Sequence, residues 1–265
     1  MGEINAILKY PGGKWRISEW IISHFPEHKV YVEPFFGSGA CFFNKTPAYI
    51  ETINDLDSDV VNLFKVCREY PEELARIIKF TPFSREEFIS CNERSQNSIE
   101  QARRTIVRYH QSFGTSNSSK NSWRNVQTYG GPRCATMWNN LPEIVFEVSD
   151  RLKEAQIENT NALTLIQRYN SEDTLIYCDP PYLRELRKRN MYAVEMDDET
   201  HIALLEILKK SKSKIILSGY DNDLYNKELK GWYTDQIETT AQMGLHRTEK
   251  LWMNFSPQLV IPLNG

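Results

Sequence analysis

The chain has 265 residues, of which 40% are hydrophobic and 25% are charged, and its formal net charge at pH 7 is −3. This length accommodates one α/β domain with a smaller insertion. The start of the chain is polar and no apolar run reaches membrane-spanning length, which predicts a cytoplasmic protein without a membrane partner. The five cysteines are scattered and the five histidines lack ligand spacing, so we expect reduced thiols and no metal site.

Positive charge is concentrated in one segment of the chain. Residues 94–133 contain one acid, Glu100, and seven basic residues: Arg94, Arg103, Arg104, Arg108, Lys120, Arg124 and Arg133. The segment therefore carries a charge of +6 and the rest of the chain carries −9. An acidic body with a basic segment is typical of proteins that bind nucleic acids. The alternative is a helix whose basic face is simply solvated.

Two glycine turns occur near the start of the chain. Residues 8–14, LKYPGGK, form a Pro-Gly-Gly turn in which glycine lets the backbone approach a ligand, and Lys14 adds positive charge at a helix entrance. Residues 30–32 then predict a strand, which is followed by EPFFGSG and a helix. A strand that runs into a Gly-x-Gly turn and a helix is the first unit of a Rossmann-like sheet. The lack of a third glycine argues against a dinucleotide ligand.

A second strand is predicted over residues 49–53, and it ends at Asn54 and Asp55. An acid at this position binds ribose hydroxyls in Rossmann-like folds, and we assign Asp55 to that function. The competing interpretation is helix capping, because Asp55, Asp57 and Ser58 precede a helical run. We assign the cap to Asp57.

Residues 62–150 lack strand patterns and carry helical signals instead. Ser84 and Glu87 form a capping box, and Pro142 stands at the start of a later helix. Between two of the helical patterns lies a loop rich in glycine, serine and asparagine that contains Arg124 and Arg133. Such a loop can hydrogen-bond phosphates and base edges, and a disordered surface loop is the alternative. We therefore predict a smaller, mostly helical inserted domain.

The stretch TLIYCDPPY, residues 174–182, combines a buried strand with an abrupt stop. Neither Pro180 nor Pro181 can donate to a strand ladder, so we expect Asp179 at the sheet edge where ligands bind. The exocyclic amine of a nucleobase is a poor nucleophile because its lone pair is delocalised into the ring. Asp179 and the Pro180 carbonyl could accept hydrogen bonds from its two N–H groups while Tyr182 stacks on the base. A strand that ends in an ordinary Asx-Pro turn is the alternative.

The combination of DPPY with EPFFGSG and the N-terminal PGGK turn resembles the Dam-type, alpha-group adenine amino-methyltransferases. Their motif is Asp, Asn or Ser, then Pro-Pro, then an aromatic residue. The resemblance implies a Rossmann-like class I methyltransferase sheet, with the catalytic domain at residues 1–61 and 151–265 and a target recognition domain at residues 62–150. It implies four catalytic positions: Asp179, Pro180, Pro181 and Tyr182.

The same resemblance implies that the chain binds S-adenosylmethionine. Together with the ribose-binding acid, the residues assigned to the cofactor are Tyr10, Lys14, Glu33, Pro34, Gly37, Gly39, Asp55, Asn161, Ala162 and Asp179. The two glycines of the second turn make room for the methionine moiety. Relatives usually carry Asp where this chain has Asn161, near the cofactor's adenine. The side-chain oxygen of Asn161 can still accept a hydrogen bond from the adenine amine.

Basic residues and further α/β elements follow the DPPY motif. Residues 183–190 carry four basic side chains: Arg184, Arg187, Lys188 and Arg189. The resemblance implies that this loop clamps a DNA backbone. Residues 156–162 predict the third strand and its tip, residues 201–210 a helix, residues 214–218 a strand, and residues 248–255, TEKLWMNF, a closing strand.

These observations predict a site-specific DNA methyltransferase that transfers a methyl group to N6 of an adenine flipped out of double-stranded DNA. The alternatives are methylation of RNA or of cytosine N4, and a catalytically degenerate DNA-binding module. Asp before Pro-Pro favours adenine, and the Pro-Cys dipeptide that a cytosine-C5 enzyme needs does not occur. No nuclease motif is visible in the sequence, so any restriction-modification partner is expected to be a separate nuclease.

Overall fold

The computed structural model of the chain describes residues 4–113, 123–125, 134–186, 192–240 and 246–257. Its centre is a seven-stranded sheet with the order β3-β2-β1-β4-β5-β7-β6. Strand β7 runs antiparallel to both of its neighbours, and the other pairs are parallel. The strands are β1 (Val30–Glu33), β2 (Ile50–Asn54), β3 (Gln156–Glu158), β4 (Thr174–Cys178), β5 (Lys214–Tyr220), β6 (Tyr233–Thr240) and β7 (His246–Met253). The predicted α/β fold with a Rossmann-like sheet is confirmed.

Strands β1 and β4 lie side by side at the point where the strand order reverses. β1 pairs with β2 on one side and with β4 on the other. All residues of β4 are buried, because a central parallel strand is covered on both faces and therefore reads as a continuous apolar run. Ligands of open α/β sheets bind beyond the carboxyl ends of the strands at such a point. Glu33 ends β1 there, and Asp179 directly follows β4.

Helices cover both faces of the sheet. Their bounds are α1 (Ser18–Ile22), α2 (Ala40–Asn44), α3 (Ser58–Glu69), α4 (Pro71–Lys79), α5 (Arg85–Ser90), α6 (Ser98–Gln111), α7 (Cys134–Asn139), α8 (Leu141–Leu152), α9 (Ala162–Arg168), α10 (Asp198–Lys210) and α11 (Asp223–Glu228). Helices α3, α4, α6 and α8 share an apolar cluster with Tyr31 and Leu175. Helices α9 and α10 share a second cluster with Val32 and Ile176. Because successive strand residues point to opposite faces, the two clusters lie on opposite sides of the sheet.

Residues 62–150, assigned from the sequence to an inserted domain, carry the rest of α3, then α4 to α7, and α8 except for its last two residues. Their described part contributes no strand to the sheet, and a single β-bridge joins Ser112 to Trp123. The boundary at residue 62 falls within α3, whose buried Leu63 and Phe64 belong to the same apolar cluster as Ile53 of β2. The division into residues 1–61, 62–150 and 151–265 stays a prediction.

Several predicted helix starts are confirmed by their capping hydrogen bonds. Asp57 Oδ1 accepts from the N–H of Asp59 at 2.9 Å, and Ser84 Oγ accepts from the N–H of Glu87 at 3.2 Å. Pro142 lies in the first turn of α8. The helix predicted over residues 201–210 begins earlier, at Asp198, because the residue before it, Asp197, caps it.

Within the described ranges, no helix is long and apolar enough to cross a membrane. The same residues include no group of three or more His, Cys, Asp and Glu side chains placed to hold a metal ion. All five cysteines are buried free thiols.

Candidate active site

Asp179 stands at the carboxyl end of β4, where the two following prolines stop the strand. Its carboxylate accepts hydrogen bonds from Lys14 Nζ at 2.7 Å to Oδ1 and 2.8 Å to Oδ2. Oδ1 also accepts from the Ser218 hydroxyl at 3.0 Å, across the pairing of β4 with β5. The Asp179 side chain is 20% exposed. It is therefore fixed by Lys14 and Ser218 and remains accessible from the cavity.

Lys14 is the buried cation of this site. Besides the two Asp179 oxygens, its ammonium donates to the Tyr182 hydroxyl at 2.7 Å and the Gly12 carbonyl at 3.1 Å. Burial by itself lowers the pKa of Lys14, but the carboxylates of Asp179 and Glu249 outweigh burial and hold the pKa above its usual value. Lys14 was assigned to the cofactor, and the structure also joins it to Asp179 and Tyr182 of the DPPY motif.

The Tyr182 side chain is buried between other protein groups. Its hydroxyl donates towards Glu249 Oε2 at 3.3 Å. The ring stacks on Tyr220, with centroids 4.2 Å apart and planes inclined by 22°, and the Arg247 guanidinium lies 5.6 Å from the centre of the Tyr220 ring. One face of Tyr182 is therefore already covered by protein.

Glu249 belongs to this cluster and was missed by the sequence reasoning. It lies in β7, its side chain is 3% exposed, and its Oε1 is 3.4 Å from Lys14 Nζ. Burial raises the pKa of Glu249, and the Lys14 ammonium opposes this effect. A signal was present in TEKLWMNF: Glu249 alternates with the fully buried Leu251 and Met253, so the acid occupies a core-facing position.

A cavity of about 230 Å³ joins the DPPY motif to the first glycine turn and the carboxyl ends of β1 and β2. Most of the residues assigned to the cofactor line it: Tyr10, Lys14, Glu33, Pro34, Gly37, Asp55, Asn161, Ala162 and Asp179. Pro181 also lines it, whereas Pro180, Tyr182 and Gly39 are not among the lining residues. The structure thus gathers residues from three distant parts of the sequence into one cavity.

The two glycines of the EPFFGSG loop have different surroundings. Both have positive φ, +50° at Gly37 and +69° at Gly39, a conformation that glycine adopts without strain. A Cβ at Gly37, which lines the cavity, would lie 2.9 Å from Tyr10, whereas a Cβ at Gly39, which does not line it, would lie 2.4 Å from the buried Phe36 and 2.8 Å from the buried Phe43. Gly37 therefore shapes the cavity, and Gly39 permits the packing behind it.

Asp55 faces the cavity from the end of β2 while it anchors the glycine loop. Its Oδ2 accepts from the N–H of Gly37 and its Oδ1 from the N–H of Asp57, each at 2.8 Å. Burial raises the pKa of Asp55 to about 6, although these backbone N–H groups oppose the shift. Asn161 Oδ1 caps α9 by accepting from Leu163 N at 2.8 Å. The oxygen assigned to the cofactor's adenine is thus already engaged by the backbone.

Burial disfavours the ionised form of two groups near the cavity. Burial and the nearby charge of Asp179 raise the pKa of Glu33 to about 8, although the Tyr31 hydroxyl donates to its Oε2 at 2.7 Å. Burial also raises the pKa of the Cys178 thiol beside Asp179. A protonated, buried thiol is a poor nucleophile, so Cys178 is unsuited to covalent catalysis.

Of the basic residues assigned to DNA, Arg124 and Arg184 are described, and Arg133, Arg187, Lys188 and Arg189 lie outside the described residues. The Arg124 N–H donates to the Gln111 carbonyl at 2.7 Å, and its Nε donates to the Ser112 carbonyl at 3.1 Å. This segment therefore packs against the end of α6. Arg184 is exposed at the start of a 3₁₀ turn, Arg184–Leu186.

Much of the positive charge in residues 94–133 is neutralised within the protein. Arg94 and Arg108 both pair with Asp59 of α3. Arg103 pairs with Glu87 and Glu100, and Arg104 also pairs with Glu100. The segment charge of +6 predicted from the sequence included Glu100 as the one acid that offsets these arginines. Asp59 and Glu87 lie outside that segment in sequence and reach it through helix packing.

The chain is similar to bacterial and archaeal DNA methyltransferases along most of its length. The "DNA adenine methylase" of Vibrio cholerae serotype O1 is 24% identical over 98% of this chain and 99% of the relative. The protein of the same name from Haemophilus influenzae is 26% identical over 83% of this chain and 82% of the relative. The "Type II methyltransferase M.MjaIII" of Methanocaldococcus jannaschii is 24% identical over 89% and 91%.

A sequence model of one methyltransferase family matches residues 10–245. The matched range begins at Tyr10 in the first glycine turn and includes the whole cavity lining and the DPPY motif. Glu249 lies just beyond it. The chain belongs to the D12 class N6 adenine-specific DNA methyltransferases.

Proposed function

We propose that the chain transfers a methyl group from S-adenosylmethionine to N6 of an adenine that has been flipped out of duplex DNA. The supporting observation is that Asp179 lines the same cavity as Gly37, Asp55 and Asn161. Methyl transfer requires the donor and the acceptor amine to approach within about 3–3.5 Å in the correct orientation. A single cavity lined by both sets of residues suits this requirement.

The lining suits S-adenosylmethionine as the donor. The Asp55 carboxylate is an acceptor for ribose hydroxyls, and Gly37 has no side chain to crowd Tyr10. The bound donor supplies an already activated methyl group, so the protein needs to orient the acceptor rather than provide a covalent nucleophile.

The acceptor amine is oriented by Asp179 and the Pro180 carbonyl, which accept hydrogen bonds from its two N–H groups. These acceptors favour the geometry in which the nitrogen lone pair points away from the ring plane, and they stabilise charge that develops during transfer. Tyr182 supports the base by stacking. Because Tyr220 covers one face of the Tyr182 ring, the base uses the opposite face or displaces Tyr220.

An adenine inside a duplex cannot reach Asp179, so the base must leave the stack. The proposed DNA-binding residues are Arg124, Arg133, Arg184, Arg187, Lys188 and Arg189.

The proposal is tested by incubating the protein with methyl-labelled S-adenosylmethionine and either duplex DNA or RNA, and identifying the labelled nucleoside. N6-methyladenine is the expected product, and label in N4-methylcytosine or only in RNA would contradict the proposal. Asp179→Ala serves as the control for a contaminating methyltransferase. Methylome sequencing of a methylation-free host that expresses the chain then identifies the recognition sequence needed for binding experiments.

A further inference from the structure

Lys14 has more acceptors around it than it can satisfy. An ammonium group carries three N–H donors. Lys14 Nζ lies 2.7 Å and 2.8 Å from the Asp179 oxygens, 2.7 Å from the Tyr182 hydroxyl and 3.1 Å from the Gly12 carbonyl. Glu249 Oε1, at 3.4 Å, is the second carboxylate beside it. A cation in such surroundings can exchange one partner for another while all its donors remain used.

Asp179 is occupied by Lys14 on both of its oxygens. Oδ1 accepts from Lys14 and from Ser218, and Oδ2 accepts from Lys14. In the proposed function the target amine must also donate to this carboxylate. The ammonium therefore competes with the amine for the same oxygens, and an ammonium forms the stronger, charge-assisted hydrogen bond.

Glu249 is a buried carboxylate with donors around it. Its described hydrogen-bonding neighbours are the Tyr182 hydroxyl at 3.3 Å and the Lys14 ammonium. It projects from β7 opposite Tyr220 of β5, the strand whose Ser218 holds Asp179. A buried carboxylate is costly unless it is paired. The pair with Lys14 is longer than the Lys14–Asp179 contact, so Glu249 is the second partner in this conformation.

We propose that Glu249 is a positioning residue that takes over the Lys14 ammonium when the target adenine amine occupies Asp179, an inference that rests on the proposed function. The ammonium moves from the Asp179 oxygens towards Glu249 and keeps its bond to the Tyr182 hydroxyl. Asp179 is then free to accept from the amine, and the buried cation stays paired in both arrangements.

Loss of the Glu249 charge has a specific consequence under this arrangement. Lys14 is left with Asp179 as its carboxylate partner and remains there in competition with the amine. Glu249→Gln preserves the size of the side chain and an acceptor for Tyr182, so the main change is the lost charge. The effect therefore falls on the methyl-transfer step and requires Lys14 to be present.

A double-mutant cycle between Glu249 and Lys14 tests the inference. Single-turnover rates at saturating donor and DNA are measured for the wild type, Glu249→Gln, Lys14→Met and the double variant. Glu249→Gln is expected to lower the rate at least about tenfold while the Kd for the donor stays within about twofold. In the Lys14→Met background the same substitution is expected to change the rate by about twofold or less.

Equal losses in both backgrounds, an unchanged rate in Glu249→Gln, or a matching loss of donor affinity would overturn the inference. If Glu249→Gln does not fold, Glu249→Asp takes its place in the cycle, because the shorter side chain withdraws the carboxylate from Lys14. The same loss of rate is then expected with Lys14 present, and a change of about twofold or less in the Lys14→Met background. Nucleoside analysis of the wild-type product distinguishes failure of this inference from failure of the proposed function. N6-methyladenine with an additive cycle contradicts only the assignment of Glu249, whereas absence of N6-methyladenine contradicts the proposed function and, with it, this inference.

Discussion

Lys14 Nζ donates to both carboxylate oxygens of Asp179, across 165 positions of the sequence. The contact joins the first glycine turn to the motif that follows the central strand β4. From the sequence alone, Lys14 is a positive charge in a turn and Asp179 is a hydrogen-bond acceptor at a sheet edge. The ion pair makes them parts of one site.

Asp179→Ala is expected to lower the single-turnover rate by more than about tenfold, or roughly 1.4 kcal/mol of transition-state stabilisation. Donor and DNA affinities should change little, because the proposed bonds to the amine act mainly in the transition state. Rapid-quench kinetics and equilibrium binding measure the two effects. The matched control is Asp173→Ala, whose side chain is 62% exposed and pairs with Lys29 at the surface. A rate within tenfold of wild type would remove Asp179 from catalysis.

Tyr182→Phe is expected to lower the free energy of unfolding by roughly 1.5–3 kcal/mol, the usual contribution of a hydrogen bond to a charged group. The substitution removes the hydroxyl that accepts from Lys14 at 2.7 Å and leaves the ring in place. Urea denaturation provides the measurement. Tyr49→Phe is the control, because Tyr49 is 91% exposed. A loss no larger than that of the control would mean that the buried hydroxyl contributes nothing to stability.

Tyr182→Ala should be far more damaging to methyl transfer than Tyr182→Phe, because base stacking on an aromatic ring contributes about 1–3 kcal/mol. Single-turnover rates of the two variants are compared on the same duplex. If both substitutions reduce the rate equally, the hydroxyl rather than the ring face supports the reaction.

Gly39→Ala is expected to destabilise the protein more than Gly231→Ala. Both positions have positive φ, where a side chain costs roughly 1–2 kcal/mol. A Cβ at Gly39 also meets Phe36 at 2.4 Å, whereas a Cβ at Gly231 has open space around it. The difference between the free energies of unfolding of the two variants measures the steric contribution of Phe36, and equal values would contradict that contribution.

Gly37→Ala should instead weaken donor binding, measured by calorimetry, because its Cβ displaces Tyr10.

Glu33 is expected to make stability depend on pH. Burial raises the pKa of Glu33 from 4.5 to about 8, so between these values the folded state binds a proton that the unfolded state has lost. The free energy of unfolding should therefore fall as pH rises through this window, and the trend should end above about 8. Glu33→Gln should lack this component. Urea denaturation of both proteins from pH 5 to 9 tests it, and identical pH profiles would refute it.

The basic residues assigned to DNA are expected to divide into two groups. Charge reversal at Arg187 or Lys188 should weaken binding to all duplexes, because contacts with phosphates do not distinguish one base from another. It should also reduce the dependence of the binding affinity on salt concentration. Loss of Arg124 or Arg133 should relax preference at one base pair at a cost of about 1–3 kcal/mol if that arginine reads guanine. Affinities on cognate and scrambled duplexes at two salt concentrations distinguish the groups. A uniform loss for all four would make residues 94–133 an electrostatic clamp.

The sequence by itself determined the elements whose signals are local. The apolar run before Asp179 ends at two prolines, and the EPFFGSG loop follows a short strand, so both predicted the carboxyl ends of central strands. The Asp57 and Ser84 caps were equally predictable, because each bonds to a backbone N–H only two or three residues away. In these cases the interactions that end a strand or start a helix act within a few residues, so the local sequence predicts them.

Only the tertiary structure decided which charges meet. Glu249 reaches Lys14 because β7 pairs with β5, and Asp59 neutralises Arg108 because α3 packs on α6. The Asn161 oxygen, expected at the cofactor, is engaged by the start of α9. Electrostatic and hydrogen-bond energies depend on separations of a few ångströms. Strand order and helix packing set those separations, and sequence spacing does not.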